Sequence, residues 1–227
     1  EAELQRKRQR LWTRPDAEFF EFQIPKGSIA DGRQIKEVRW PGGCTLVAIR
    51  RGRAVLVPEG NTVLQEGDIV DMDFGVYKDG FHADSAWTFP VGEISNDAKR
   101  LLNITRESLM QGIAQAQPGN RVGDIGSKVQ KYVEGNGYSV VREMVGHGIG
   151  RELHEEPNVP NFGKPKKGPV LKPGTTICIE PMVNIGTHKV RTLEDGWTIV
   201  TADGTLSAHF EHTVAITADG PEILTCE

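Results

Sequence analysis

Residues 67–84 are Gly-Asp-Ile-Val-Asp-Met-Asp-Phe-Gly-Val-Tyr-Lys-Asp-Gly-Phe-His-Ala-Asp, a stretch with the pattern of strand, tight turn and strand. Ile69, Val70, Met72 and Phe74 build one strand, and a second strand follows from Phe81 to Phe89. Asp79-Gly80 between them is a two-residue turn signal of type I′. With those two residues as the loop, Lys78 faces Phe81 and Gly75 faces Asp84. Asp73 then shares a face with Asp84, one diagonal step away. A one-residue change in loop length would send Asp84 to the other face. Two carboxylates brought this close repel each other unless a cation or a proton lies between them. The hairpin therefore asks for a metal, and the rest of the chain is searched for further ligands.

The 227 residues allow one large domain or two small ones, and 37% hydrophobic content is enough for a real core. A net charge of -4 gives no footprint for nucleic acid. The 26 glycines and 13 prolines indicate a chain rich in strands and turns. Cys44, Cys178 and Cys226 are odd in number and widely spaced, which argues against a disulfide framework and for a reducing compartment. No apolar run approaches the roughly 18 residues of a membrane helix. The expectation is a soluble, cytoplasmic α+β protein.

Residues 1–16 carry clustered Arg and Lys up to Pro15 and read as a solvated arm or linker. From 17 to 66 the chain is strand-rich. A short helix is expected within Asp31–Val38, and two strands at 44–49 and 54–57 around Arg50-Arg-Gly-Arg53. The run "IPKGSIADGRQIKEVRWPGGCTLVAIRRGRAVLVPEGNTVLQEGD" resembles the TrkA-C family, the C-terminal regulatory module of potassium-uptake regulators. That resemblance covers about 18–70. It implies a small β-rich module that forms homodimers and takes a small ligand. Beyond the hairpin, Ser95 or Asn96 caps a helix to about Ala116, with Leu101, Leu102, Leu109 and Ile113 on one face. A second helix is expected from Gly123 to Glu134, ended by Gly135 and Gly137. Asp195-Gly196 and Asp203-Gly204 read as hairpin turns.

Three stretches supply further ligand types. His147 stands between glycines in Gly146-His-Gly-Ile-Gly150, where the backbone is free to approach a ligand or adopt positive φ. Glu180 and Glu211 stand inside the apolar runs 176–182 and 207–216, read as two strands. A buried acid is costly unless it is paired or bound to a cation. With Asp73 and Asp84 the set is four carboxylates and one imidazole. It suits two divalent ions of borderline hardness: Mn, Co, Fe or Zn.

The runs "GDIVDMDFGVYKDGFHADSAWTF", "VGHGIGRELHEEPNVPNFG", "LKPGTTICIEPMVNIG" and "LEDGWTIVTADGTLSAHFEHTVAIT" resemble type I methionine aminopeptidases over about 66–225. The resemblance implies a pita-bread fold, here truncated and preceded by the TrkA-C-like module. It implies that Asp73, Asp84, His147, Glu180 and Glu211 hold two metal ions and that Glu180 also shuttles the proton. His154 would contact the substrate near the scissile bond, and Trp197 would line the methionine pocket. The substrate would be the N-terminus of a peptide or nascent protein. The chain departs from the family before the hairpin, where the usual N-terminal portion is replaced. There Val55 stands where the family has a catalytic histidine, and Leu153 replaces an aromatic residue. Three readings follow: an aminopeptidase with weakened turnover, a non-catalytic metal-binding pseudoenzyme, or a regulatory TrkA-C-type module carrying a truncated peptidase. Aminopeptidase P and prolidase are the related enzymes that "HGIGRELHEEP" argues against.

Overall fold

The computed structural model describes residues 32–38, 45–51, 54–56, 59–194, 196 and 198–226. The charged arm and much of the expected 17–66 segment lie outside them. The short helix expected within 31–38 is a single 3-10 turn, Ile35–Glu37, where the Gln34 N–H donates to Glu37 Oε2 at 3.1 Å.

Four strands form the first sheet: β1 (Thr45–Arg51), β2 (Ala54–Leu56), β3 (Ile69–Lys78) and β4 (Phe81–Pro90), in the order β2-β1-β3-β4. The hairpin has the register its turn dictates, with Gly75 opposite Asp84 and Lys78 opposite Phe81. Asp79 and Gly80 both have positive φ, 51° and 89°, as a type I′ turn requires. Val70, Met72 and Phe74 point into a small core with Ile35, Ile49, Leu64, Phe89 and Val91. The alternate residues Asp71 and Asp73 therefore face the other way. β1 pairs with β3 on the side away from β4, so β1 and β2 extend the hairpin's own sheet.

Two helices follow, α1 (Asn96–Ile113) and α2 (Val122–Gly135). The Ser95 side chain accepts the Ala98 N–H at 3.1 Å, the capping expected from the sequence. Leu101, Leu109 and Ile113 of α1 meet Ile125, Val129 and Val133 of α2 over Ile177, Ile179, Val183, Val214 and Ile216 of the sheets. The helices thus cover one side of the strands and leave the other to the site. They pack closely enough that a Cβ on Gly112 would lie 2.8 Å from a Val129 methyl.

The remaining strands are β5 (Ser139–Val140), β6 (Gly146–Gly148), β7 (Glu155–Val159), β8 (Thr176–Ile179), β9 (Met182–Asn184), β10 (Val190–Thr192), β11 (Ile199–Thr201), β12 (Ser207–His209), β13 (His212–Thr217) and β14 (Gly220–Ile223). They build a five-stranded sheet, β14-β13-β8-β6-β7, a three-stranded sheet, β12-β9-β5, and the pair β10-β11. This corrects the reading of 176–182 and 207–216 as continuous strands. Each breaks at its glutamate: β8 lies in the five-stranded sheet and β9 in the three-stranded one, while β12 and β13 cross back. Because β8 pairs with β13 and β9 with β12, Glu180 and Glu211 occupy neighbouring joints. Asp203-Gly204 is likewise not a hairpin turn, since β11 and β12 belong to different sheets. The Asp203 carboxylate instead accepts backbone N–H groups of Thr187 at 2.7 Å and Thr205 at 3.0 Å. No helix among the described residues is long and apolar enough to cross a membrane.

Candidate active site

Asp71, Asp73, Asp84, His147, His154, Glu180, His209 and Glu211 all line one cavity of about 570 Å³. Asp84 and Glu211 are set side by side by stitching between β4 and the 210–213 joint. The Glu211 N–H donates to the Ala86 carbonyl at 2.8 Å, and the Ser85 hydroxyl donates to the Glu211 carbonyl at 3.0 Å. The Asp84 N–H donates to Thr213 Oγ1 at 2.9 Å, whose hydroxyl returns to the Asp84 carbonyl at 2.7 Å. Carboxylate oxygens of Asp73, Asp84 and Glu211 lie within 4.8 Å of one another. Glu180 joins them from the other joint, its carbonyl held by Asn161 Nδ2 at 3.0 Å.

The glycines around His147 serve a different purpose from the one expected. Neither Gly146 nor Gly148 has positive φ; a Cβ on either would run into the carbonyl oxygens of Cys178 or Glu156 on the flanking strands. They let β6 fit between its neighbours. His147 Nδ1 donates to the Gly148 carbonyl at 2.8 Å, which leaves the Nε2 lone pair facing Glu180 Oε1 at 3.6 Å and Asp84 Oδ2 at 3.9 Å. An imidazole oriented in this way is ready to ligate. The His154 ring lies against the His147 ring, with centroids 4.2 Å apart and planes tilted by 54°.

The electrostatics are those of acids crowded together under burial, where a cation would be favoured. Burial raises the carboxyl of Asp73, and burial with Asp73 and Glu180 nearby raises that of Asp84 well above the carboxylate range. Burial, Asp84 and Glu180 do the same to Glu211. Asp73 Oδ1 and Glu211 Oε1 are buried with no hydrogen-bond partner among the described residues. A divalent ion would remove both the repulsion and the lost hydrogen bonds, so these residues fit the metal their types imply. Burial, and then His147, lower the His154 imidazole.

Cys178 beside the ligand cluster, and Asp71 and His209 at the cavity, lay outside the sequence reading. Cys178 places its sulfur within 4.8 Å of ligand atoms of His147 and Glu211, and burial, followed by Glu211, pushes its thiol far up. His209 sits between Asp71 and Glu180, at 3.6 and 3.7 Å. Burial lowers its imidazole, but Asp71 and Glu180 outweigh that and raise it well above its ordinary value. The i, i+2 spacings 71/73 and 209/211 were the available signal. Trp197 lies outside the described residues; its neighbours Thr198 and Ile199 line the cavity.

The chain belongs to metallopeptidase family M24, whose model matches residues 29–218. It is 58% identical over 166 residues to a methionine aminopeptidase of Clostridium perfringens, covering 73% of this chain and 67% of that protein. It is 55% identical, with the same coverage, to methionine aminopeptidase 1 of Bacillus subtilis. The crystal structure of a methionine aminopeptidase from Thermotoga maritima superposes with a TM-score of 0.76 at 45% identity, over 82% of this chain and 74% of that one. The α+β pita-bread fold is therefore the fold of this chain, and the family match reaches back through β1 and β2.

Proposed function

We propose that this chain removes the N-terminal methionine of peptides and nascent proteins as a metal-dependent aminopeptidase. The observation that carries the reading is the cluster of Asp73, Asp84 and Glu211, with unpartnered buried oxygens, beside His147, Glu180 and His154 in one cavity. The similarity to two methionine aminopeptidases supports the substrate.

Asp73, Asp84, His147, Glu180 and Glu211 would hold two divalent ions, with Mn, Co, Fe and Zn all matching the oxygen and imidazole donors. Such ions supply Lewis acidity, activating water and polarising the scissile carbonyl. The chain does the rest. Glu180 accepts the proton of the attacking water and passes it to the leaving amine. His154, kept neutral near pH 7 by burial and by His147, donates its N–H to the developing oxyanion. Met144, Met182 and Ile199 line an apolar wall for the methionine side chain, with Trp197 placed there by its resemblance.

The segment that resembles TrkA-C lies within the family match from residue 29 onward: β1 covers the outer edge of β3, and Ile49 reaches the cavity. A separate module over 17–66 and dimerisation through it rest on that resemblance, and a cytoplasmic setting rests on the cysteine pattern. Turnover is expected below that of a family member with histidine at the position of Val55. The test is methionine release from Met-Ala-Ser by protein loaded with Co²⁺ or Mn²⁺. Release that a chelator stops and added metal restores is expected. Metal binding without release would favour the pseudoenzyme reading.

A further inference from the structure

We propose that His209 is a positioning residue for Glu180: clamped by Asp71, it presents Nε2 to Glu180 Oε2 and fixes the rotamer in which Oε1 faces His147. The inference rests on the aminopeptidase reading only for its kinetic consequence. Glu180 lies between two imidazoles, with His147 Nε2 at 3.6 Å from one oxygen and His209 Nε2 at 3.7 Å from the other. His209 is itself held from three sides. Its Nδ1 faces Asp71 Oδ2 at 3.6 Å. Its backbone N–H donates to Thr88 Oγ1 at 2.9 Å. That hydroxyl lies 2.9 Å from the His209 carbonyl and 3.3 Å from Asp71 Oδ1, with one proton to share between them. Asp71 and Thr88 are directly opposed in the β3–β4 register, so the clamp is built into the hairpin. His209 Nε2 is buried and has no hydrogen-bond partner among the described residues, and Glu180 Oε2 stands 3.7 Å from it.

Glu180 needs this support because it sits at the joint between β8 and β9, outside the hydrogen-bond ladder of either sheet. A carboxylate that must both ligate and move a proton loses efficiency if it swings between rotamers. Groups that orient a metal ligand from behind typically contribute about 10–100-fold in metal affinity or activity.

The experiment compares His209→Ala, His209→Gln and Asp71→Asn with the unaltered protein. Zinc affinity is measured by calorimetry, and kcat and KM with Met-Ala-Ser. The expected result for His209→Ala is a fall of about 10–100-fold in zinc affinity and in kcat. KM should stay within about threefold, since substrate contacts are untouched. Asp71→Asn shows a smaller loss of the same kind. His209→Gln, whose amide still donates toward Glu180, recovers most of both. Values for His209→Ala near those of the unaltered protein, or His209→Gln as poor as His209→Ala, overturn the proposal. If the unaltered protein releases no methionine, the function reading falls, and the zinc affinities alone still decide the role of His209.

Discussion

Glu211 is 2% exposed, and its Oε1 has no partner among the described residues. A side chain so placed makes the metal-free protein sensitive to pH in a definite direction. Its folded-state pKa is raised, so its contribution to stability is complete below the ordinary carboxylate value of about 4.3. That contribution is lost as pH rises through the raised folded value. Metal-free Glu211→Gln should therefore match the metal-free parent near pH 4 and unfold at higher temperature than it near pH 8. Each kcal/mol is worth about 2–4 °C in a chain of this size. With metal present the order reverses, because the variant has lost a ligand. Thermal unfolding at the two pH values, with and without chelator, checks this, and a gap independent of pH would count against it. Asp84 offers the companion test: metal titration of Asp84→Ala should show reduced stoichiometry or affinity. The carboxylates were legible in the sequence because an acid among Ile, Val and Phe has few inexpensive explanations. His209 was not. A histidine in a strand reads as ordinary until Asp71 and Glu180, which are remote from it in the chain, are seen on either side.

The hairpin β3–β4 is the element whose geometry followed most directly from local chemistry. Asp79-Gly80 set the loop at two residues, and the two-residue period of a strand then put Asp71, Asp73 and Asp84 on one face. Gly80→Val should cost about 1–3 kcal/mol, since a β-branched residue resists the φ of 89° found there. Metal stoichiometry should hold, because ten residue pairs keep the register. Circular-dichroism melts and a metal titration check the two halves. One residue added between Asp79 and Gly80 should instead turn Asp84 out of the site and weaken metal binding sharply. The helices were equally readable from Ser95 and the apolar spacing of α1 and α2. The glutamate-bearing strands were not, because a run of apolar residues carries no mark of where it leaves one sheet for another. The joints at Glu180-Pro181 and Phe210-Glu211 arise from which distant strands are available to pair.

At the scale of the molecule, two helices close one side of the sheets, and the clustered carboxylates and histidines gather on the other. Buried carboxylates that repel one another weaken the empty protein, and cations that bind the folded state alone stabilise it. Chelation should lower the melting temperature by about 5–10 °C relative to metal at a hundredfold excess over its Kd, the equivalent of about 2.7 kcal/mol. Calorimetric melts with and without chelator measure the difference; coincident melts would mean that no ion is held by this set. Local sequence was enough for the hairpin, its turn and its register, the two helices and the residue types that would hold a metal, since each follows from short-range rules of φ, periodicity and charge. Tertiary structure alone decided that β1 and β2 extend the hairpin's sheet, that Glu180 and Glu211 stand at paired joints, and that Asp71, His209 and Glu180 form one line. Those outcomes depend on pairings between strands far apart in the chain, and burial and hydrogen bonding over the whole molecule select them.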